Sequence, residues 1–253
     1  GLVARARTFF VAVILSAYLF IFGPPALLVA WLVGSTRMVF VLTVLGVRFG
    51  LWAAGVRISV HGLDHLDDGR NYLFMPNHTS NVDPPVVAAA LGRDVSMMGK
   101  AALFRIPVLG WLLRFVGFVP IAREDRAAAI DSVDQATTLL QQGTDFVIFP
   151  EGTRSRDGKL LPLKKGPFFM AQQGGVPVVP GRVHGTQDVM PKGGKVIYSG
   201  LVDVEVCLPI EVTSLDGDNE SVREQLRARV KKALQTDLTH FKRCANPQCN
   251  ERS

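Results

Sequence analysis

No charged side chain occurs between Arg7 and Arg37, although charged residues make up 20% of the 253-residue chain. A stretch of that kind has to be covered, by protein or by lipid. Cysteine is scarce as well. There are three, an odd number, with Cys207 in an apolar run and Cys244 and Cys249 in a polar tail. This excludes a disulfide framework as the basis of the fold and implies a reducing compartment. The tail from His240 to Cys249 lacks a second, regularly spaced Cys or His pair, so no metal site is expected there. There is no internal repeat, no low-complexity segment and no basic stripe interleaved with aromatics. Solenoids and nucleic-acid binding modules are thereby excluded. What the chain does have is apolar residues, 48% of the total, and a net charge of +6. A basic balance favours anionic partners, of which a membrane surface and phosphorylated substrates remain.

The uncharged run covers residues 8–36 and is broken once, at Gly23-Pro24-Pro25. A bilayer core is crossed by about 20 apolar helical residues. Residues 8–22 and 26–34 each fall short of that, which leaves two architectures. One is a single kinked helix spanning the membrane. The other is a hairpin of two half-helices that dips in and returns, with Gly-Pro-Pro as its turn. Arg5 and Arg7 before the run and Arg37 after it suit the hairpin, with both ends on the cytoplasmic side. A further apolar stretch at 38–56, interrupted by Arg48, is expected to continue along the interface. A cleaved signal peptide fits poorly, because the apolar run passes any plausible cleavage site. A buried hairpin in a soluble protein is the remaining alternative. Residues 1–56 are therefore read as an apolar helical membrane anchor and 57–253 as a separate domain ending in a helix and a polar tail.

From Arg57 onward, short apolar runs alternate with helical patterns. Strands are expected at 57–60, 72–76, 95–99, 117–121, 145–149, 176–180, 196–198 and 202–208. Helices are expected at 126–142 and 222–241, the latter carrying Val222, Leu226, Val230 and Leu234 at helical spacing behind a Ser221/Glu224 capping box. Such alternation implies an α/β domain whose mixed, largely parallel sheet is flanked by helices.

Two clusters follow directly on strands, where the active groups of α/β sheets gather. In Asn77-His78-Thr79-Ser80-Asn81-Val82-Asp83, an imidazole has a carboxylate five residues on. A His–Asp pair across a turn fixes the ring tautomer and leaves the other nitrogen free to take a proton. Asp83-Pro84 reads equally as a helix start, with Asp as N-cap and Pro behind it. In Phe149-Pro150-Glu151-Gly152-Thr153-Arg154, a glycine loop presents a carboxylate, a hydroxyl and a guanidinium, the last suited to clamping phosphate. A plain surface turn is the alternative. Lys100 and Arg123 end two further strands and read singly as solvated charges. The apolar stretch 108–118 is either core or the lining of an acyl groove.

Together these blocks resemble the glycerolipid acyltransferase family over roughly residues 56–186. His78 and Asp83 fit its His-x4-Asp motif, and Gly99-Lys100 through Pro107 with Gly117 to Arg123 fit its second block. Phe149 to Arg154 fits its third, and Val176-Pro-Val-Val-Pro180 its fourth. The resemblance implies an enzyme that moves a fatty acyl chain from acyl-CoA or acyl-carrier protein to the hydroxyl of lysophosphatidate, a membrane-resident lysophospholipid. Glycerol 3-phosphate or another lysolipid is the alternative acceptor. An inactive membrane-tethered lipid-binding protein is the alternative outside catalysis, marked by loss of His78 or Asp83, and both are present. The resemblance makes His78 the general base and Asp83 its partner. It assigns Lys100, Arg123, Glu151, Gly152, Thr153 and Arg154 to the acceptor, and backbone amides near His78 to the oxyanion. It implies no metal or prosthetic group, and a catalytic domain on the cytoplasmic face of the membrane.

Overall fold

The computed structural model describes residues 1–121 and 126–235. Its first element, α1 (Leu2–Val33), contains both Pro24 and Pro25. Of the two architectures considered, a hairpin turning at Gly23-Pro24-Pro25 is not formed: the helix runs through those residues, as in the single-helix reading, and a turn comes after it. Gly34 takes a left-handed conformation, φ 69°, and α2 (Arg37–Ala53) runs back along α1. Prolines remove helical hydrogen bonds, but packing across the same turns offsets the loss. Ala26 and Ala30 cluster with Val39 of α2 and with Val108 and Leu112 further along the chain.

Side-chain size decides which way α1 faces. Ala4, Val11, Ala26 and Ala30 point inward and are buried. Phe9, Phe10, Phe20, Ile21, Trp31 and Leu32 are each more than half exposed. A helix apolar on all sides needs an apolar surrounding on all sides, and only 17% of its most hydrophobic 18-residue window is buried in protein. Lipid covers the rest, so the chain associates with membranes through α1.

The remaining elements are β1 (Val56–His61), β2 (Leu73–Pro76), α3 (Asp83–Leu91), β3 (Val95–Lys100), α4 (Leu109–Phe115), β4 (Val119–Ile121), α5 (Arg126–Gln141), β5 (Asp145–Val147), α6 (Gly166–Gly174), β6 (Val178–His184), α7 (Thr186–Val189), β7 (Gly200–Val206) and α8 (Asn219–Gln235). The strands form a seven-stranded sheet in the order β1-β7-β6-β2-β5-β3-β4. All neighbours are parallel except β6 and β7. This is the mixed, largely parallel sheet expected. One face packs against α1, α2 and α3, the other against α5, α6 and α8. Arg48 does not interrupt α2 at an interface; its guanidinium donates twice to the Ala89 carbonyl of α3, at 2.7 and 3.2 Å.

Two further expectations change. Residues 196–198 form no strand, because the Ile197 N–H donates to Thr8 Oγ1 of α1 at 2.9 Å and the Tyr198 N–H to the Val189 carbonyl. At α8 the capping side chain is Asp218, which accepts the Ser221 N–H at 2.9 Å, rather than Ser221 itself. The end of the helix expected to reach residue 241 lies outside the described residues, as do Cys244 and Cys249.

The hairpin crosses closely at α2. A Cβ at Gly46 would sit 2.7 Å from Tyr18 Cε1. Tyr18 is in turn held by its hydroxyl, which donates to the Leu42 carbonyl at 2.9 Å. Gly46→Val is therefore expected to lower stability by about 1–3 kcal/mol, read as a lower thermal midpoint in detergent; an unchanged midpoint would show that the crossing has slack.

Candidate active site

All four residues of β2 are buried at the centre of the sheet, and the chain leaves it at Asn77. The Asn77 amide continues the pairing with β6 by side chain: Oδ1 accepts the Val183 N–H at 2.7 Å, and Nδ2 donates to the Val183 carbonyl at 3.0 Å. His78 then sits beyond the carboxyl end of the sheet with 7% of its surface exposed. The following residues curl around one oxygen. Asp83 Oδ2 accepts from His78 Nδ1 at 2.7 Å, from the Thr79 N–H at 2.7 Å and from the Ser80 N–H at 2.8 Å.

Asp83 is fully buried and opens α3, with Val82 in the cap position. Its carboxylate turns back onto the loop instead of capping the helix, which settles the two readings of Asp83-Pro84 in favour of the pair. An ionised carboxylate only accepts hydrogen bonds, so Nδ1 carries the ring proton and Nε2 presents a lone pair. The Phe149 ring stacks on the imidazole, centroids 4.2 Å apart at 26°, and holds it in plane.

Glu151 is buried behind this loop. Oε1 accepts the His78 N–H at 2.7 Å, and Oε2 accepts the Leu161 N–H at 2.8 Å. Burial raises its pKa above the usual glutamate value, opposed by those two backbone donors. Further ties close the loop: Ser155 N–H to the His78 carbonyl at 2.8 Å, Thr79 Oγ1 to Thr186 Oγ1 at 3.0 Å, and Ser80 Oγ to the Met190 carbonyl at 2.6 Å. The amides of His78, Thr79 and Ser80, near which the oxyanion donors are expected, donate here to Glu151 and Asp83.

An apolar cavity of about 360 Å³ is walled by α1, α2, α3 and α4. Pro84 and Pro85, the residues after Asp83, form part of its wall, with Leu15, Gly46, Leu112 and Phe118 among the others. Within residues 108–118, Val108 and Leu112 are buried core, and Leu109, Leu112, Leu113 and Val116 line the cavity.

The sequence profile of the acyltransferase family matches residues 57–184. The chain belongs to the acyltransferase family. Among its relatives is the chloroplastic 1-acyl-sn-glycerol-3-phosphate acyltransferase of Brassica napus, 35% identical over 63% of this chain and 47% of that one. The 1-acyl-sn-glycerol-3-phosphate acyltransferase of Borreliella burgdorferi is 28% identical over 79% of this chain and 80% of that one. The chain spans about half the length of the Brassica relative it matches. In fold, it agrees with the crystal structure of the 1-acyl-sn-glycerophosphate (LPA) acyltransferase of Thermotoga maritima: TM-score 0.79 at 24% identity, covering 94% of this chain and 98% of that one.

In this acyltransferase the candidate residues divide into groups. His78, Asp83 and Glu151 are brought into one hydrogen-bonded unit. Gly152 supplies the turn after it, with φ 67° and its N–H donating to the Phe149 carbonyl at 3.0 Å. Thr153 is exposed beside it, and Arg154 is half-buried. Arg154 Nη1 is buried and has no partner. Lys100 stands exposed at the end of β3, two strands from β2, and shares no hydrogen bond with the His78 loop among the described residues. Arg123 lies outside the described residues. Asn77, Phe149 and Ser155 were not singled out from sequence for the parts they play. Asn77 and Phe149 open the two clusters, but nothing in the spacing separates an amide that extends a sheet from one in a loop.

Glu151 holds its proton more tightly folded than unfolded, so its contribution to stability falls as pH rises from the ordinary glutamate range through the raised folded value. The stability of wild type minus that of Glu151→Gln is accordingly expected to decline over that window, measured as thermal midpoints in detergent from acid to neutral pH. A difference that rises instead would mean that the two backbone donors outweigh burial.

Proposed function

We propose that this acyltransferase transfers a fatty acyl chain from acyl-CoA or acyl-carrier protein to the free hydroxyl of lysophosphatidate, forming phosphatidate. The observation that carries the reading is the buried His78–Asp83 pair, 2.7 Å apart, followed directly by Pro84 and Pro85 in the wall of an apolar cavity. His78 Nε2 takes the hydroxyl proton as the oxygen attacks the thioester carbonyl carbon. The tetrahedral intermediate collapses, the carbon–sulfur bond breaks, and the imidazolium returns its proton to the departing thiolate. Asp83 stays ionised and stabilises the imidazolium throughout. General-base help of this kind is worth about 10²–10⁴ in rate. The acyl chain occupies the cavity, whose volume falls within the range of about 300–1,000 Å³ common for ligand sites. Arg154 faces the acceptor phosphate with Thr153, and Glu151 acts by holding the His78 backbone. Neither metal nor prosthetic group enters this scheme. The choice of lysophosphatidate follows the acceptor named for the relatives in Brassica and Borreliella.

The membrane hairpin fits a substrate that never leaves the bilayer. Thr8 near the start of α1 bonds the backbone of Ile197, and Ala26 and Ala30 near its end pack on α4. With α1 fastened to the domain along its length, a crossing would carry the domain into lipid. The hairpin instead lies in one leaflet, its outer face in the acyl region. Arg5, Arg7 and Arg37 at the ends of the hairpin support a domain on the cytoplasmic face.

The test is thiol release from a long-chain acyl-CoA by the full chain, with and without lysophosphatidate. Release should depend on the acceptor and fall by about 10² or more in His78→Ala. Acceptor-dependent release retained in that variant would remove His78 as base. Preference for glycerol 3-phosphate or for a lysolipid without a phosphate monoester would reassign the acceptor.

A further inference from the structure

The loop between α7 and β7, from Met190 to Ser199, belongs to none of the motifs above, yet it touches the site at several points. Its first carbonyl, on Met190, accepts the Ser80 hydroxyl from the His78 loop. Its far end is fastened twice, by the Ile197 N–H to Thr8 of α1 and by the Tyr198 N–H to the Val189 carbonyl at 2.8 Å. Between them a tight turn is closed by the Gly194 N–H donating to the Pro191 carbonyl at 2.8 Å, with Gly193 at φ 86°. The turn carries Lys192, half-buried, whose Nζ donates to the Arg154 carbonyl at 2.7 Å.

That contact brings an ammonium group against the segment carrying Arg154. A lysine has three donors and no acceptor, and one of the three is used here. No carboxylate pairs with Lys192 or Arg154 among the described residues, and Arg154 Nη1 is buried without a partner. With the Lys192 ammonium held on the Arg154 backbone and neither side chain in an ion pair among the described residues, the local balance of charge is positive and favours an anion. A loop pinned to the membrane helix, to the His78 loop and to Arg154 holds that arrangement in place before any ligand arrives.

We propose that Lys192 is a further acceptor-binding residue, which with Arg154 takes the phosphate monoester of the lysolipid and sets preference for it over an uncharged acceptor. The proposal rests on the function proposed above for its acceptor, but not on turnover for its test. Lys192 supplies the compact, mobile charge and Arg154 the planar fork. Because Thr8 ties the same loop to α1, the clamp stands at a fixed distance from the membrane helix, where a lysolipid presents its head group.

The experiment measures binding and kinetics of the full chain in detergent, using lysophosphatidate and, as the uncharged probe, monoacylglycerol. Lys192→Met should weaken lysophosphatidate binding by about tenfold and raise its KM by a like factor. It should leave monoacylglycerol binding, kcat and the acyl-CoA KM within about twofold. Lys192→Arg should restore most of the loss, since it keeps the charge. Equal weakening of both probes, or a fall in kcat with acceptor KM unchanged, would reduce Lys192 to a fastener of the Arg154 loop and overturn the proposal. A raised acyl-CoA KM alone would place the phosphate of the donor there and overturn it as well. Charge-dependent binding at Lys192 in a protein that releases no thiol would uphold this assignment while refuting the transfer reaction.

Discussion

One carboxylate oxygen organises the site. Asp83 Oδ2 gathers His78 Nδ1 and the Thr79 and Ser80 amides within 2.8 Å, in a position with no solvent exposure. A buried anion is costly unless it is hydrogen-bonded; here the loop folds around Oδ2, while Oδ1 is buried without a partner among the described residues. The same three bonds set the ring orientation, fix the tautomer and use up amides that would otherwise face substrate. Glu151 repeats the device one layer back, joining the His78 and Leu161 backbones. Two buried acids thus build the reactive loop from strands β2 and β5, which are adjacent in the sheet.

The second constraint is the apolar hairpin, which serves two surroundings with one helix. On its inner side, small residues admit α2 and α4 and leave a cavity between them. On its outer side, Phe9, Phe20 and Trp31 remain uncovered by protein. The exposed apolar face and the cavity are therefore separated by the thickness of one helix.

The sheet was legible because its strands are short, apolar and punctuated, and His78 and Asp83 because chemistry demands that spacing. The pairing itself was not decided by sequence, since Asp before Pro is also a good helix cap. Only the fold shows the carboxylate turned backward. Sequence alone leaves open whether Gly23-Pro24-Pro25 turns or is spanned by one helix, because local rules penalise proline, while packing of Ala26 and Ala30 on α4 favours the continuous helix. Glu151 was read as a group facing substrate, because a carboxylate in a glycine loop gives no sign of which backbone donors surround it. Residues 196–198 look like a strand by composition, but their amides are taken by Thr8 and Val189, partners far off in sequence or in another element.

If Asp83 acts through His78, the two residues form one catalytic unit, and units of this kind are grossly non-additive. The direct test is a double-mutant cycle on kcat/KM with His78→Ala, Asp83→Asn and the combined variant, each checked for folding by thermal midpoint. The account predicts that adding Asp83→Asn to His78→Ala lowers activity by less than about threefold, although Asp83→Asn alone lowers it by about 10² or more. Full additivity of the two losses would contradict it, and would mean that Asp83 contributes to catalysis by a route that does not pass through the imidazole.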